Sequence, residues 1–105
     1  MSEIVTTGVW KTRAGSEEEF IRAWEAFAGW AKDMEGAGAL RLTRDMREEG
    51  RFVSFAPWAN EGAVRAWKGS PEFSERLAQV RQHVEDFEPT ELETVVVVEP
   101  SEARV

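Results

Sequence analysis

Cysteine and tyrosine are absent from this 105-residue chain, and histidine occurs once, as His83. Without cysteine there is neither a disulfide framework nor a thiolate metal site. One histidine leaves only carboxylate-rich metal sites, and no loop of that kind stands in the sequence. No apolar run approaches the roughly 18 residues that a membrane-spanning helix needs. The opening Met1-Ser2-Glu3 lacks the basic region and apolar core of a secretory signal. The expectation is a cytoplasmic protein with no membrane partner. Positive charge is also scarce, with 13 Lys and Arg against 20 Asp and Glu, a net charge of −7. An acidic surface gains nothing from counterion release on a phosphate backbone, so a nucleic-acid partner is excluded. Gly36-Ala37-Gly38 is too short for a dinucleotide fingerprint and precedes a strand rather than a helix.

What the chain has is tryptophan and phenylalanine, five and six residues respectively. Tryptophan is large and carries one N–H donor, so it suits both a packed core and the wall of a ligand cavity. The length fits one domain, residues 1–105, with 101–105 expected as a frayed tail.

Ile4 to Thr12 is rich in β-branched residues and reads as a strand. Ser16 stands three before Glu19, the spacing of a capping box. Phe20, Trp24, Phe27, Ala31 and Met34 then recur on one helical stripe. Ala39 to Met46 and Arg51 to Trp58 read as two strands around the polar turn Glu48-Glu49-Gly50. Asn60 is placed to cap a short helix through Trp67. Gly69 breaks it, and Ser70-Pro71 starts another, with Phe73, Leu77, Val80, Val84 and Phe87 as its stripe. Leu92 to Val98 is expected as the last strand.

The order is an α+β, ferredoxin-like βαββαβ arrangement with an antiparallel sheet and an interrupted second helix. Helices cover one face of such a sheet. Thr94 to Val98 and Phe52 to Ala56 are nevertheless apolar on both faces, and Ile4 and Val5 point opposite ways. A sheet apolar on both sides needs a second cover, and the simplest is the sheet of another copy. The expectation is a homodimer joined through its sheet faces.

The pattern resembles the dimeric α/β-barrel superfamily and, within it, the antibiotic biosynthesis monooxygenase family. The residues that carry the resemblance are Gly15-Ser16-Glu17-Glu18-Glu19-Phe20, Arg44-Asp45, Arg51 to Phe55 leading to Trp58, and Ala66-Trp67-Lys68-Gly69-Ser70-Pro71-Glu72-Phe73. The resemblance implies a substrate held between the helices and the concave sheet. Some members oxidise polyaromatic phenols with dioxygen and no cofactor; others bind and degrade haem. The haem group carries a ligand His ten residues after a helix Trp and an Asn in the first strand. Trp67 matches that Trp, but the His position falls on Leu77 and the Asn on or beside Gly8. Haem iron needs its axial nitrogen, so no cofactor is expected. The oxidising group resembles this chain at Trp58, while its Asn and Tyr positions hold Ser54 and Val64.

The resulting expectation is a cofactor-independent monooxygenase for an aromatic or polyketide-like substrate; the alternative is a non-enzymatic ligand-binding or structural dimer. Trp58, Trp67, Trp30 and Phe27 are the candidate walls of an apolar pocket. His83, Trp58 and Ser54 are the candidate catalytic groups. His83 is the only imidazole, a side chain that in general titrates near physiological pH and can act as a base. Trp58 and Ser54 can donate to a developing anion. Each also has a structural reading: His83 as a half-wet boundary residue, the tryptophans as core or rim.

Overall fold

The computed structural model describes residues 2–101. Strand β1 (Ile4–Thr12) leads into helix α1 (Glu17–Ala31), strand β2 (Arg41–Arg44), strand β3 (Arg51–Trp58), helix α2 (Glu61–Lys68), helix α3 (Phe73–Arg81) and strand β4 (Val84–Glu93). The four antiparallel strands lie in the order β2-β3-β1-β4, which is the ferredoxin-like sheet. The first strand of the chain therefore occupies the middle of the sheet, between β3 and the last strand.

Alternation along the strands divides the sheet into two faces. Thr6, Gly8, Trp10 and Thr12 of β1 are buried, and so are Ala56, Ser54 and Phe52, the β3 partners of the first three, and Trp58, the partner of Ile4. On these the stripe of α1 packs, with Phe20, Trp24, Phe27 and Ala31 buried as their helical spacing requires. Phe20 and Phe52 are almost wholly enclosed and pack at 5.0 Å between ring centroids with their planes tilted by 54°. Burying one such ring contributes about 2 kcal/mol, so this pair anchors α1 to the sheet. Val64 and Trp67 of α2 and Val80 of α3 complete the same core.

Several helix boundaries differ from expectation. Ser16 stands at the start of α1 but makes no side-chain cap; Glu17, Glu18 and Glu19 in the first turn supply negative charge at the positive end of the helix instead. The helix also ends at Ala31 rather than running to Met34, which lies in the following turn. Asn60 does cap α2, its Oδ1 accepting from the Ala63 N–H at 2.9 Å. Helix α3 begins at Phe73, not at Ser70-Pro71. Strand β2 is shorter than expected and spans only Arg41–Arg44.

The largest correction concerns the end of the chain. The stripe from Phe73 to Phe87 is not one helix, because α3 stops at Arg81 and Val84 and Phe87 belong to β4. A β-bulge explains the misreading. Thr12 pairs with Val84, while the preceding residue, Lys11, pairs with Asp86. The extra residue turns Val84 and Phe87 to the same face although they are three apart, which imitates helical spacing. His83 consequently sits in the turn between α3 and β4 rather than on a helix shoulder.

The expected last strand Leu92 to Val98 is displaced in the same way. Pairing reaches Glu93, and Thr94 adds one clasp, its N–H donating to the Glu3 carbonyl at 2.8 Å and its Oγ1 to Glu3 Oε1 at 2.9 Å. Beyond it Val95, Val96, Val97 and Val98 are all exposed. Of the expected tail 101–105, only Ser101 is described, and it is exposed; the others lie outside the described residues.

The face turned away from the helices carries Val5 and Val9 of β1, Val53, Phe55 and Pro57 of β3, and Leu92 of β4. Thr7 and Thr90 face each other across it through their hydroxyls. No helix of the described residues packs on this side. Among the described residues no helix is long and apolar enough to cross a membrane, and no cluster of three metal-ligating side chains occurs.

Candidate functional site

Between the inward sheet face and the three helices lies an apolar cavity of about 120 Å³. Gly8, Trp10, Ser54, Ala56 and Phe87 form its floor, Trp24 and Phe27 one wall, and Trp67, Phe73 and Leu77 the other. Among the described residues, Lys68 is the only charged one in the lining. Its Nζ lies 2.6 Å from Glu91 Oε2, and both side chains are partly exposed.

The floor depends on one glycine. Trp10 is stacked on Phe87 with centroids 3.9 Å apart and planes at 19°, and its Nε1 donates to Ser54 Oγ at 2.9 Å. A Cβ on Gly8 would stand 2.8 Å from Phe87 Cε1 and 3.0 Å from Trp10 Nε1. Only a residue without a side chain leaves room for both rings there. Large aromatic rings on neighbouring strands thus lie along the floor instead of filling the space above it.

The helix-side wall is a chain of rings. Trp67 stacks on Trp58 at 4.5 Å and 26°, meets Phe73 edge-on at 5.0 Å, and touches Phe27 at 5.8 Å. The Gly69 break after α2 lets the chain turn, so Trp67 of α2 and Phe73 of α3 come together across it.

The structure brings together three of the sequence-selected residues, Ser54, Trp67 and Phe27, all in the lining. Three others lie elsewhere. Trp58 is buried behind Trp67, and its Nε1 donates to Thr6 Oγ1 at 3.1 Å. Trp30 is half-buried on the outer side of Phe27, with the Arg76 guanidinium 5.2 Å above its ring. His83 is outside the lining; its carbonyl accepts from the Arg13 N–H and its N–H donates to the Val80 carbonyl. Sequence reasoning missed Trp10, Trp24, Phe87 and Leu77 as lining. Trp10 carried a usable signal, since it shares the parity of Thr6 and Gly8 on a strand with one buried face.

The cavity does not suit haem. The residue at the expected ligand position, Leu77, does face the space but offers no nitrogen, and the sole imidazole lies outside it. A void of about 120 Å³ is also close to the volume that holds one benzene ring, far below a macrocycle.

Fold and cavity define a class: a ferredoxin-like α+β domain with a small aromatic-walled pocket under its helices. The sequence model for antibiotic biosynthesis monooxygenases matches residues 4–79, and the chain belongs to that family. No curated protein matches it significantly. Among solved structures it is similar to SnoaB, a cofactor-independent oxygenase from Streptomyces nogalater, with a TM-score of 0.78 and 15% identity over 99% of this chain and 100% of that one. It is also similar to a candidate antibiotic biosynthesis monooxygenase from Deinococcus radiodurans, with a TM-score of 0.82 and 16% identity over 93% and 98% of the two chains. A third, a candidate of the same kind from Caulobacter crescentus, has a TM-score of 0.81 and 21% identity over 90% and 92%. At such identities the likeness is one of fold.

Proposed function

We propose that the protein is a cofactor-independent monooxygenase acting on a small aromatic phenol or its keto tautomer. The observation that carries the reading is the cavity itself, walled by aromatic rings. Family membership and the fold shared with an oxygenase that uses no cofactor support it. The volume sets the size: one ring fits inside, and anything larger extends through the mouth.

The chemistry asks little of the protein. A ring-activated CH₂ gives up one proton to form an electron-rich phenolate. The anion passes one electron to dioxygen, and the radical pair closes a C–O bond to give a hydroperoxide. Loss of water leaves a carbonyl. The carbon surrenders four electrons, one oxygen atom stays on the product, and the other departs as water with two hydrogens. The substrate supplies every electron. The apolar walls exclude water from the charged intermediates.

No carboxylate or imidazole lines the cavity among the described residues. The substrate is therefore a phenol acidic enough to ionise in solution. That same lack of a base is what favours the second reading, a protein that binds such ligands without turning them over. The open sheet face, with Phe55 and Leu92 exposed and Val5, Val9 and Val53 half-buried, supports a homodimer in either case.

Oxygen uptake with mono- and bicyclic phenols of graded acidity tests the reading. The expected result is uptake that follows the phenolate fraction, with a carbonyl product and no hydrogen peroxide. Saturable binding without uptake for any acidic phenol overturns the enzyme and leaves the binding protein.

A further inference from the structure

Three tryptophans of the core have indole nitrogens that can be followed individually. Trp10 Nε1 donates to Ser54 Oγ, and Trp58 Nε1 donates to Thr6 Oγ1. Trp67 Nε1 is buried and has no hydrogen-bond partner among the described residues. Buried donors are almost always paired, so an orphan on a 5%-exposed residue calls for a reason. Two other buried side-chain atoms are unpaired, Ser70 Oγ and Arg76 Nε, but neither residue lines the cavity, whereas Trp67 does.

The nitrogen is almost fully enclosed, so a ligand oxygen reaches it as the ring shifts toward the cavity. Trp58 covers one face, and Phe73 and Phe27 crowd it at 5.0 and 5.8 Å. Ser54 Oγ accepts from Trp10, and Thr6 Oγ1 from Trp58. A lone water is poorly held there, since it needs two to four polar partners and the walls are rings. The missing acceptor is one that an entering ligand brings.

We infer that Trp67 Nε1 is the recognition donor of the cavity, and that it selects aromatic ligands bearing a carbonyl or phenolate oxygen over hydrocarbons of the same shape. This rests on the reading of the cavity as an aromatic-ligand site. It goes further in naming the oxygen-reading group. It places that role on the α2 tryptophan, with Trp58 as the platform that holds its ring.

Two probes of nearly equal shape test it: acetophenone, which has an acceptor oxygen, and α-methylstyrene, which has CH₂ in its place. Both are titrated into uniformly ¹⁵N-labelled protein, with the Trp67 indole signal identified by its loss in Trp67→Phe. The expected result is that both probes shift signals of cavity residues. Only acetophenone should move the Trp67 indole proton strongly downfield and slow its exchange with solvent. Acetophenone should bind about tenfold more tightly than α-methylstyrene, the preference that one neutral hydrogen bond gives. Trp67→Phe should abolish that preference. Equal binding of both probes with the same indole shift overturns the donor role and leaves the cavity reading intact. Binding of neither probe overturns both. The wild-type indole signal decides the matter even if Trp67→Phe folds poorly.

Discussion

The Trp10 indole donates to the Ser54 hydroxyl at 2.9 Å across β1 and β3, in a part of the sheet closed to water. Removing the acceptor leaves a buried N–H with nothing to replace it. Ser54→Ala should lower the unfolding free energy by about 1 to 3 kcal/mol, read from urea denaturation. A change within a few tenths of a kcal/mol would mean that the indole finds another acceptor.

Gly8 holds the close approach beneath that pair. A methyl group there meets Phe87 Cε1 at 2.8 Å, and the Phe87 ring is already pressed against Trp10. Gly8→Ala should destabilise by about 1 to 3 kcal/mol through overpacking. It should also weaken cavity ligands by pushing Phe87 inward. Calorimetric titration of an aromatic probe, beside a denaturation curve, separates the two effects. Unchanged affinity and stability together would show that the floor is more pliant than these distances allow.

The open sheet face makes the dimer testable. Val53 lies at its centre, paired with Val9 and Thr43. In a face-to-face dimer, Val53→Asp buries an unpaired charge on both sides at a cost of about 3 kcal/mol or more. Light scattering at micromolar concentration should give a dimer for the wild type and a monomer for the variant. A wild-type protein that stays monomeric and folded removes the reason for the apolar face.

Asp45 ties the β2–β3 turn. Its Oδ1 accepts from the N–H groups of Arg47 and Glu48, both at 2.8 Å, and its Oδ2 from Arg51 Nη1 at 2.8 Å. The two backbone donors, followed by the Arg51 side chain, hold its carboxyl below the usual range. A group with a lowered folded pKa stabilises above its unfolded value and loses that contribution as pH falls through the folded one. The denaturation midpoint should therefore decline on acidification, and Asp45→Asn should decline less over the same interval. Parallel acid limbs for the two proteins would assign the loss to other carboxylates.

The sequence disclosed most of this architecture where a single face of an element was buried. The stripe of α1 and the limits of β1 and β3 follow from such patterns, and so does the Asn60 cap. It misled at β4, where the bulge opposite Lys11 and Thr12 gave a strand the three-residue spacing of a helix. It misled again at Val95 to Val98, whose composition suits a strand that has no partner there. Within the cavity, Phe27, Ser54 and Trp67 were visible as residue types in plausible places. Which indole was left unpaired was not, because that depends on two cross-strand contacts, Trp10 with Ser54 and Trp58 with Thr6, that no local pattern encodes.

The position of β1 has a consequence for how the protein is made. This strand emerges early yet sits in the middle of the sheet, flanked by β3 and β4. During synthesis it can zip to β3 once the hairpin partner has appeared, but its other edge stays bare until β4 leaves the ribosome. Pairing between such distant segments is slow to form. Throughout that interval the bare edge can accept a strand from a neighbouring nascent chain as readily as its own. The Thr94–Glu3 clasp closes this window last, so the yield of correctly folded chains should depend on how soon after β1 the final strand arrives.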